Sequence, residues 1–329
     1  MDLEFNTRMP SKVFISGALG FIGSVLGDRY REQGAEVRGV DVRPEPGLGV
    51  VAGDIAEPGS WQEHANGCDL VINTAAYVGF GGDLDAVWRA NVLGARRVID
   101  AAQRGGAERF VQFSSVTTFG FDYPDGVDET YPVRLTGNPY PDSKIASEQV
   151  TLQAHVAGDV QATIVRPGDV WGPRSRGWTV LPVKMISSGQ MVLPDGGHGQ
   201  IGPVYVDNLV DGVTLAAESA DAVGEIFTIA DGYAIDIGEF FGHYARMLGK
   251  SSPRTLPRTV ARTIAAAGGR VEKALGRDTE MSAASIDYLA KRGAYSIEKA
   301  RRVLGYEPQV GLEEGMRRCE EWLRAEGLV

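Results

Sequence analysis

The run Lys12-Val-Phe-Ile-Ser16 leads without a linker into Gly17-Ala-Leu-Gly20-Phe-Ile-Gly23, and an amphipathic stretch to Gly34 follows at once. No other feature restricts this chain as much. A turn that tight between a strand and a helix requires residues without a Cβ, and it lets a pyrophosphate approach backbone N–H groups at the positive end of the helix. Asp41 closes the next strand-like run, EVRGVD, eighteen residues after Gly23. A carboxylate there accepts hydrogen bonds from both hydroxyls of an adenosine ribose and repels a 2′-phosphate. The pattern predicts dinucleotide binding with NAD favoured over NADP, Arg43 being a nearby group able to fold over a phosphate instead.

The rest of the first half keeps the same rhythm. Strand-like runs at 36–41, 50–54, 69–76, 109–115 and 160–167 alternate with helical stretches from about Asp83 to Arg104 and from about Tyr140 to Val156. Apolar runs without polar alternation fit strands covered on both faces, so the expected fold class is α/β, a doubly wound parallel sheet of the Rossmann type. After Pro167 the pattern dissolves into Gly- and Pro-rich segments, WGPRSRGW and LPDGGHGQIGP. Residues 11–170 are therefore expected to form the dinucleotide-binding domain, with 203–230 returning to it, and 171–202 with 231–329 a smaller substrate-binding lobe. Its helices include one starting on a Ser296 cap and a last amphipathic one, LEEGMRRCEEWLRAEG.

Composition excludes several partners. The 33 basic side chains against 43 acidic give a net charge of −10, and no cationic run offers a nucleic-acid footprint. The first ten residues lack the apolar core of a secretory signal and read as a loose arm. No apolar run reaches the ~18 residues of a membrane helix, so no stable membrane insertion is expected. Two distant cysteines, Cys68 and Cys319, and four scattered histidines offer neither a disulfide frame nor a metal site. The chain reads as cytoplasmic.

Tyr140-Pro-Asp-Ser-Lys144 sets a phenol and an ammonium one helical turn apart at a helix start, with Pro141 suited to the first helical position. A tyrosine ionises near pH 10, so a phenolate near neutrality requires roughly 4 kcal/mol of electrostatic help. Lys144, the helix N-terminus and an oxidised nicotinamide are the positive sources at hand. Tyr140 then takes a proton from a substrate alcohol as hydride leaves for the cofactor. Ser114 and Ser115 end the run RFVQFSS at the carboxyl edge of the sheet, where such folds bind ligands, and a hydroxyl there can hold the reacting oxygen.

With these motifs in order, the sequence resembles the extended short-chain dehydrogenase/reductase family, also called the NAD-dependent epimerase/dehydratase family, over roughly residues 12–320. Asp54-Ile55, Asn73-Thr-Ala-Ala76, Asn91 in NVLGA, Arg166-Pro-Gly-Asp-Val-Trp-Gly-Pro173 and Val204-Tyr-Val-Asp-Asn208 extend the match. The resemblance implies a catalytic trio. Tyr140 is the acid/base, Ser115 orients the substrate oxygen, and Lys144 binds the nicotinamide ribose and lowers the tyrosine pKa. Ser115 is preferred to Ser114 because it stands five residues before Gly120, where the family's catalytic Ser or Thr falls. The same resemblance implies NAD contacts at Gly17, Gly20, Phe21, Ile22, Gly23, Asp41, Val42, Arg43, Asp54, Ile55, Thr74, Ala75, Ala76, Asn91, Ser114, Tyr140, Lys144, Pro167 and Val170, with no metal and with a homodimer as a common assembly.

Within that family, dehydratases carry an Asp-Glu pair where Val116-Thr117 stands, which disfavours water elimination. Epimerases commonly place an asparagine after the sixth strand, where this chain has Gly168-Asp169-Val170, and an acid suits an anionic sugar nucleotide poorly. The C-terminal pattern YSIEKARRVLGYEP looks like the 3β-hydroxysteroid dehydrogenase branch. The expected activity is oxidation of a hydrophobic secondary alcohol or reduction of its ketone. A nucleotide-sugar epimerase using bound NAD transiently is the alternative, and a noncatalytic dinucleotide sensor ranks last because both Tyr140 and Lys144 are present. Trp171, Trp178 and Met185 read as local core, His198 as a solvated loop residue and TVARTIAAAGG as a packed amphipathic helix.

Overall fold

The computed structural model describes residues 9–274 and 282–329. The N-terminal arm expected over the first ten residues therefore lies almost wholly outside the described residues, as does the end of the stretch TVARTIAAAGGRVEKALG.

Seven parallel strands form the central sheet: β1 (Lys12–Ser16), β2 (Glu36–Asp41), β3 (Val50–Ala52), β4 (Leu70–Asn73), β5 (Arg109–Phe113), β6 (Ala162–Pro167) and, from later in the chain, β11 (Ile226–Ile229). Their order, β11-β6-β5-β4-β1-β2-β3, reverses direction between β1 and β4, and the crevice at that switch point is where doubly wound sheets bind ligands. Helices cover both faces, as a parallel sheet requires. On one face α1 (Phe21–Glu32) and α6 (Val206–Glu218) pack Leu26, Tyr30, Leu209 and Val213 against Val13, Ile15 and Val111. On the other, α3 (Gly94–Gly105) and α4 (Pro139–Val156) pack Val98, Ile99 and Ala154 against Phe14, Val71 and Phe110.

The second lobe holds three short strand pairs and most of the remaining helices. Strand β7 (Asp169–Trp171) pairs with β10 (Pro203–Tyr205), β8 (Val192–Pro194) with β13 (Arg254–Leu256), and β9 (Gln200–Ile201) antiparallel to β12 (Ile235–Asp236). The lobe's core joins α5 (Leu181–Ser187), α7 (Ile237–Met247) and α11 (Leu312–Ala325) through Val183, Ile186, Phe240, Tyr244, Met316 and Leu323 around a fully buried Trp171. Two more helices, α8 (Arg258–Ala274) and α9 (Ala283–Leu289), share the small cluster Ala261, Ala265 and Ile286. Among the described residues no helix is long and apolar enough to cross a membrane.

Three local expectations differ from the structure. The helix expected over Asp83–Arg104 starts on Asp83, whose carboxylate accepts from the Asp85 and Ala86 N–H groups, but it is interrupted: α2 (Leu84–Trp88) passes through a π turn at Arg89–Leu93 into α3. The extra residue turns Asn91 inward, where it bonds two other segments. Pro139, not Pro141, takes the first position of α4, because Asn138 supplies the cap by accepting from the Tyr140 N–H at 3.1 Å. Helix α10 (Glu298–Leu304) begins two residues after Ser296, whose hydroxyl still accepts from the Glu298 N–H at 3.3 Å. That helix also packs Ala300 and Leu304, with Tyr306, into the core of the main sheet.

Candidate active site

The glycine loop is shaped by close approach. Gly17 has φ +69°, and a Cβ on it would stand 2.9 Å from the Ala75 Cα, while a Cβ on Gly23 would collide with the Gly17 carbonyl oxygen. Gly20 is different: it is exposed, with only the Gly17 oxygen near its missing Cβ. It caps α1 without any side-chain hydrogen bond, so the first N–H groups of the helix, at Phe21, Ile22 and Gly23, have no side-chain partner. An open backbone cradle at an uncapped helix N-terminus fits a pyrophosphate. Asp41 turns one carboxylate oxygen to the Leu19 N–H at 3.0 Å, fixing the carboxylate at the loop's edge. Val42, 73% exposed, and Arg43 lie outside it.

The other expected contacts lie in four places. Thr74 donates to the Ser16 carbonyl at 2.7 Å, and Ala75 lies against Gly17, so the end of β4 forms the floor of the loop; Ala76 follows, half-buried. Asp54 is exposed and accepts from the Ala56 N–H, while Ile55 is buried among Phe14, Val40 and Trp61. Pro167 ends β6 and is buried, and Val170 on β7 packs against both main cores. Asn91 is buried and uses its whole amide elsewhere: Oδ1 accepts from the Tyr77 N–H at 2.7 Å, and Nδ2 donates to the Tyr77 carbonyl and, at 2.9 Å, to Ser143 on α4. It therefore ties the segment after β4 to α4.

Ser115 and the first turns of α4 converge at the carboxyl end of β5. Ser115 caps a short 3₁₀ turn over Val116–Phe119, and its Oγ accepts from the Thr117 N–H at 3.1 Å and the Thr117 hydroxyl at 3.0 Å. With both lone pairs engaged, its proton is left to favour the ionised form of the Tyr140 phenol. Tyr140 is pushed up to about 12 chiefly by burial, with Ser115 opposing and the Asp169 carboxylate adding to the rise. Lys144 is buried and donates to the Phe113 carbonyl at 3.0 Å; burial depresses it to about 8, and Glu148 one turn on pulls it back up. The ammonium form thus survives at neutral pH.

Ser114 has its hydroxyl committed to Glu148, which also holds Arg166 through two bonds of 2.8 Å, all buried. The Arg166 guanidinium lies over the Phe119 ring. Breaking such a buried pair costs about 3–5 kcal/mol, which makes it an anchor between α4 and β6 behind the trio. A second row of buried bonds crosses the strand ends, Ser16 to Asn73 to Gln112 to the Phe113 carbonyl, the oxygen that Lys144 also uses. The sequence reading missed Glu148 although its spacing, one turn beyond Lys144, was visible.

Beyond Tyr140 the wall is aromatic. Phe80 meets Tyr140 edge-on with ring centres 6.1 Å apart and Tyr288 at 5.1 Å, and Phe121 meets Tyr288 at 5.5 Å. Trp178, stacked on Phe241, reaches Tyr288 at 6.5 Å, and Met185 packs on the lobe core. His198 is exposed and paired with Asp236 at 3.2 Å. Phe80, Phe121 and Tyr288 carried no motif in the sequence, since they come from two loops and a distant helix.

A glycine loop at the switch point, an acid at the end of β2 and a Ser, Tyr and Lys at the end of β5 define a nucleotide-dependent enzyme of the dehydrogenase and epimerase type. The chain belongs to the NAD dependent epimerase/dehydratase family, whose profile matches residues 13–230, and NAD is its cofactor. It is similar to a 3-beta-hydroxysteroid dehydrogenase of Mycolicibacterium neoaurum, 29% identical over 94% of this chain and 90% of that one. It is also similar to a 2-alkyl-3-oxoalkanoate reductase of Stenotrophomonas maltophilia, 28% identical over 94% and 98%. Its fold matches that of UDP-glucose 4-epimerase from Thermotoga maritima, solved with UDP-glucose, at a TM-score of 0.79 with 20% identity over 96% of this chain and 99% of that one.

Proposed function

We propose that the protein oxidises a secondary alcohol, or reduces the matching ketone, on an apolar, hydroxysteroid-like substrate, with Tyr140, Ser115 and Lys144 as the catalytic trio. The observation that carries this reading is the aromatic wall of Phe80, Phe121, Trp178 and Tyr288, which meets Tyr140 through Phe80. Such a wall rewards a flat apolar body by burial, about 25 cal/mol per Å². Similarity to a hydroxysteroid dehydrogenase and to a ketone reductase supports the same substrate class.

NAD, when bound, supplies the hydride acceptor or donor, and its oxidised nicotinamide supplies a positive charge. Gly17, Gly20, the first N–H groups of α1 and Asp41 would hold its pyrophosphate and ribose, and Lys144 its second ribose. The protein's own groups handle the proton. From about 12, Tyr140 requires about 7 kcal/mol of electrostatic stabilisation to ionise near neutrality. One buried ammonium and one helix N-terminus fall short of that, so Tyr140 is an acid in the resting site and becomes a base only in the loaded one. Ser115, its hydroxyl direction set by Thr117, donates to the substrate oxygen.

The reading is tested by incubating the protein with excess NAD and either 3β-hydroxysteroids or UDP-sugars. Net NADH accumulation over many turnovers with the steroid is expected. Interconversion of a UDP-sugar without net NADH would establish the epimerase alternative and overturn it.

A further inference from the structure

Asp169 and Lys291 are each only 3% exposed, although one stands on β7 and the other follows α9. Asp169 uses both oxygens: Oδ1 accepts from the Tyr288 hydroxyl at 2.6 Å, and Oδ2 accepts from the Gly202 N–H at 3.1 Å and faces the Lys291 Nζ at 3.5 Å. Lys291 donates to the Gln200 carbonyl at 2.9 Å and lies over the rings of Tyr288 and Tyr295, 4.3 and 5.7 Å from their centres. A buried charge pair so fully bonded is fixed in place, and its sheltered field is weakly screened. Tyr288 reaches Tyr140 through one ring, Phe80.

We propose that Asp169 and Lys291 are positioning residues for the catalytic tyrosine: this buried charge pair, held behind Tyr288 and Phe80, sets the field at the Tyr140 phenol, the carboxylate acting against the phenolate and Lys291, with the Tyr288 hydroxyl, offsetting it. The inference rests on the acid/base role given to Tyr140 above. Every group placed around the phenol enters the balance. From its own helix come Lys144 and, a turn further, Glu148; from the turn after β5, Ser115; from β7, Asp169; from α9, Tyr288; and after it, Lys291. Tyr123 and Tyr295, hydrogen-bonded to each other at 2.7 Å, lie within the field of Asp169 and complete its surroundings. Of these, Asp169 is the one carboxylate whose charge raises the Tyr140 pKa. An unpaired Asp169 would therefore hold the site in its acid form.

The test reads the phenol directly. Ultraviolet pH titration of phenolate absorbance is run with NAD bound, and the trace of each protein's Tyr140→Phe counterpart is subtracted, which removes the other tyrosines among the eleven. Relative to the parent, Asp169→Asn is expected to lower the Tyr140 midpoint and Lys291→Met to raise it, each by about one pH unit, tenfold in the ionisation constant. The neutral double variant Asp169→Asn/Lys291→Met is expected to return to the parental midpoint. Tyr288→Phe, which keeps the ring and removes no charge, is the milder variant and is expected to raise the midpoint because Asp169 loses a donor. A merely structural role would lower melting temperature without opposite shifts. Unmoved midpoints, or shifts of one sign in both charge variants, would overturn the inference. No substrate enters the titration, so a failed inference shows there alone, whereas a failed assignment of activity shows in the NADH assay.

Discussion

Replacing Tyr140 by Phe is expected to lower kcat for alcohol oxidation by about 10³-fold while leaving NAD affinity within a factor of two or so. The phenol oxygen is the proposed acid/base group at the carboxyl edge of the sheet, influenced by a serine whose own lone pairs are already filled by Thr117. Neither Phe113 nor Asn138, which hold Lys144 and the start of α4, contacts that oxygen, so the helix keeps its cap and its lysine in the variant. The edge-on contact with Phe80 also survives, because Phe has the same ring. Steady-state kinetics with NAD titrated calorimetrically separate the two effects. Activity within tenfold of the parent would remove the phenol from its role.

Gly23→Ala is expected to weaken NAD binding by roughly 10- to 100-fold, the equivalent of the ~1–3 kcal/mol that overpacking a fitted interior costs. The added methyl collides with the Gly17 carbonyl and comes 3.1 Å from the Thr74 hydroxyl, neither of which can retreat. Gly17 is pinned by its N–H bond to the Val40 carbonyl, and Thr74 by its bond to Ser16. The loop therefore has to open, and the N–H groups of α1 lose the geometry that cradles a pyrophosphate. Gly20→Ala is the control. Its Cβ would meet only the Gly17 oxygen, so a smaller loss of overall fold stability is expected there even if the cofactor is hindered. Unchanged NAD affinity in Gly23→Ala would show that the loop does not hold the cofactor.

The parts of the site that could be read from the sequence are those built from local geometry. Glycine spacing, Asp41 and the Tyr140-to-Lys144 turn each need only one strand or helix to bring their groups together, and the structure places them at one edge of the sheet. Asn91 was visible as a motif but not as a strut, because a π turn cannot be inferred from the helical period that surrounds it. Pairings across the chain were invisible. Tyr288 and Asp169 are 119 residues apart, and nothing in KRG marks Lys291 as a buried cation. The sequence position of Asp169 suggests an acid facing the substrate, whereas its charge turns toward Lys291. The return of β11 to the sheet was suggested by its apolar run, but the docking of α10 on the same core depends on Ala300 and Leu304 meeting the main sheet's cluster, a tertiary choice that periodicity alone leaves open.

A structure of the protein crystallised with NAD and a 3β-hydroxysteroid examines the central claim most directly. The steroid oxygen is expected within hydrogen-bond distance of both the Tyr140 Oη and the Ser115 Oγ, with the Lys144 Nζ on a ribose hydroxyl and the sterol rings against Phe80 and Tyr288. A sterol oxygen bound away from Tyr140, or a Lys144 that contacts only the Phe113 carbonyl, would contradict it.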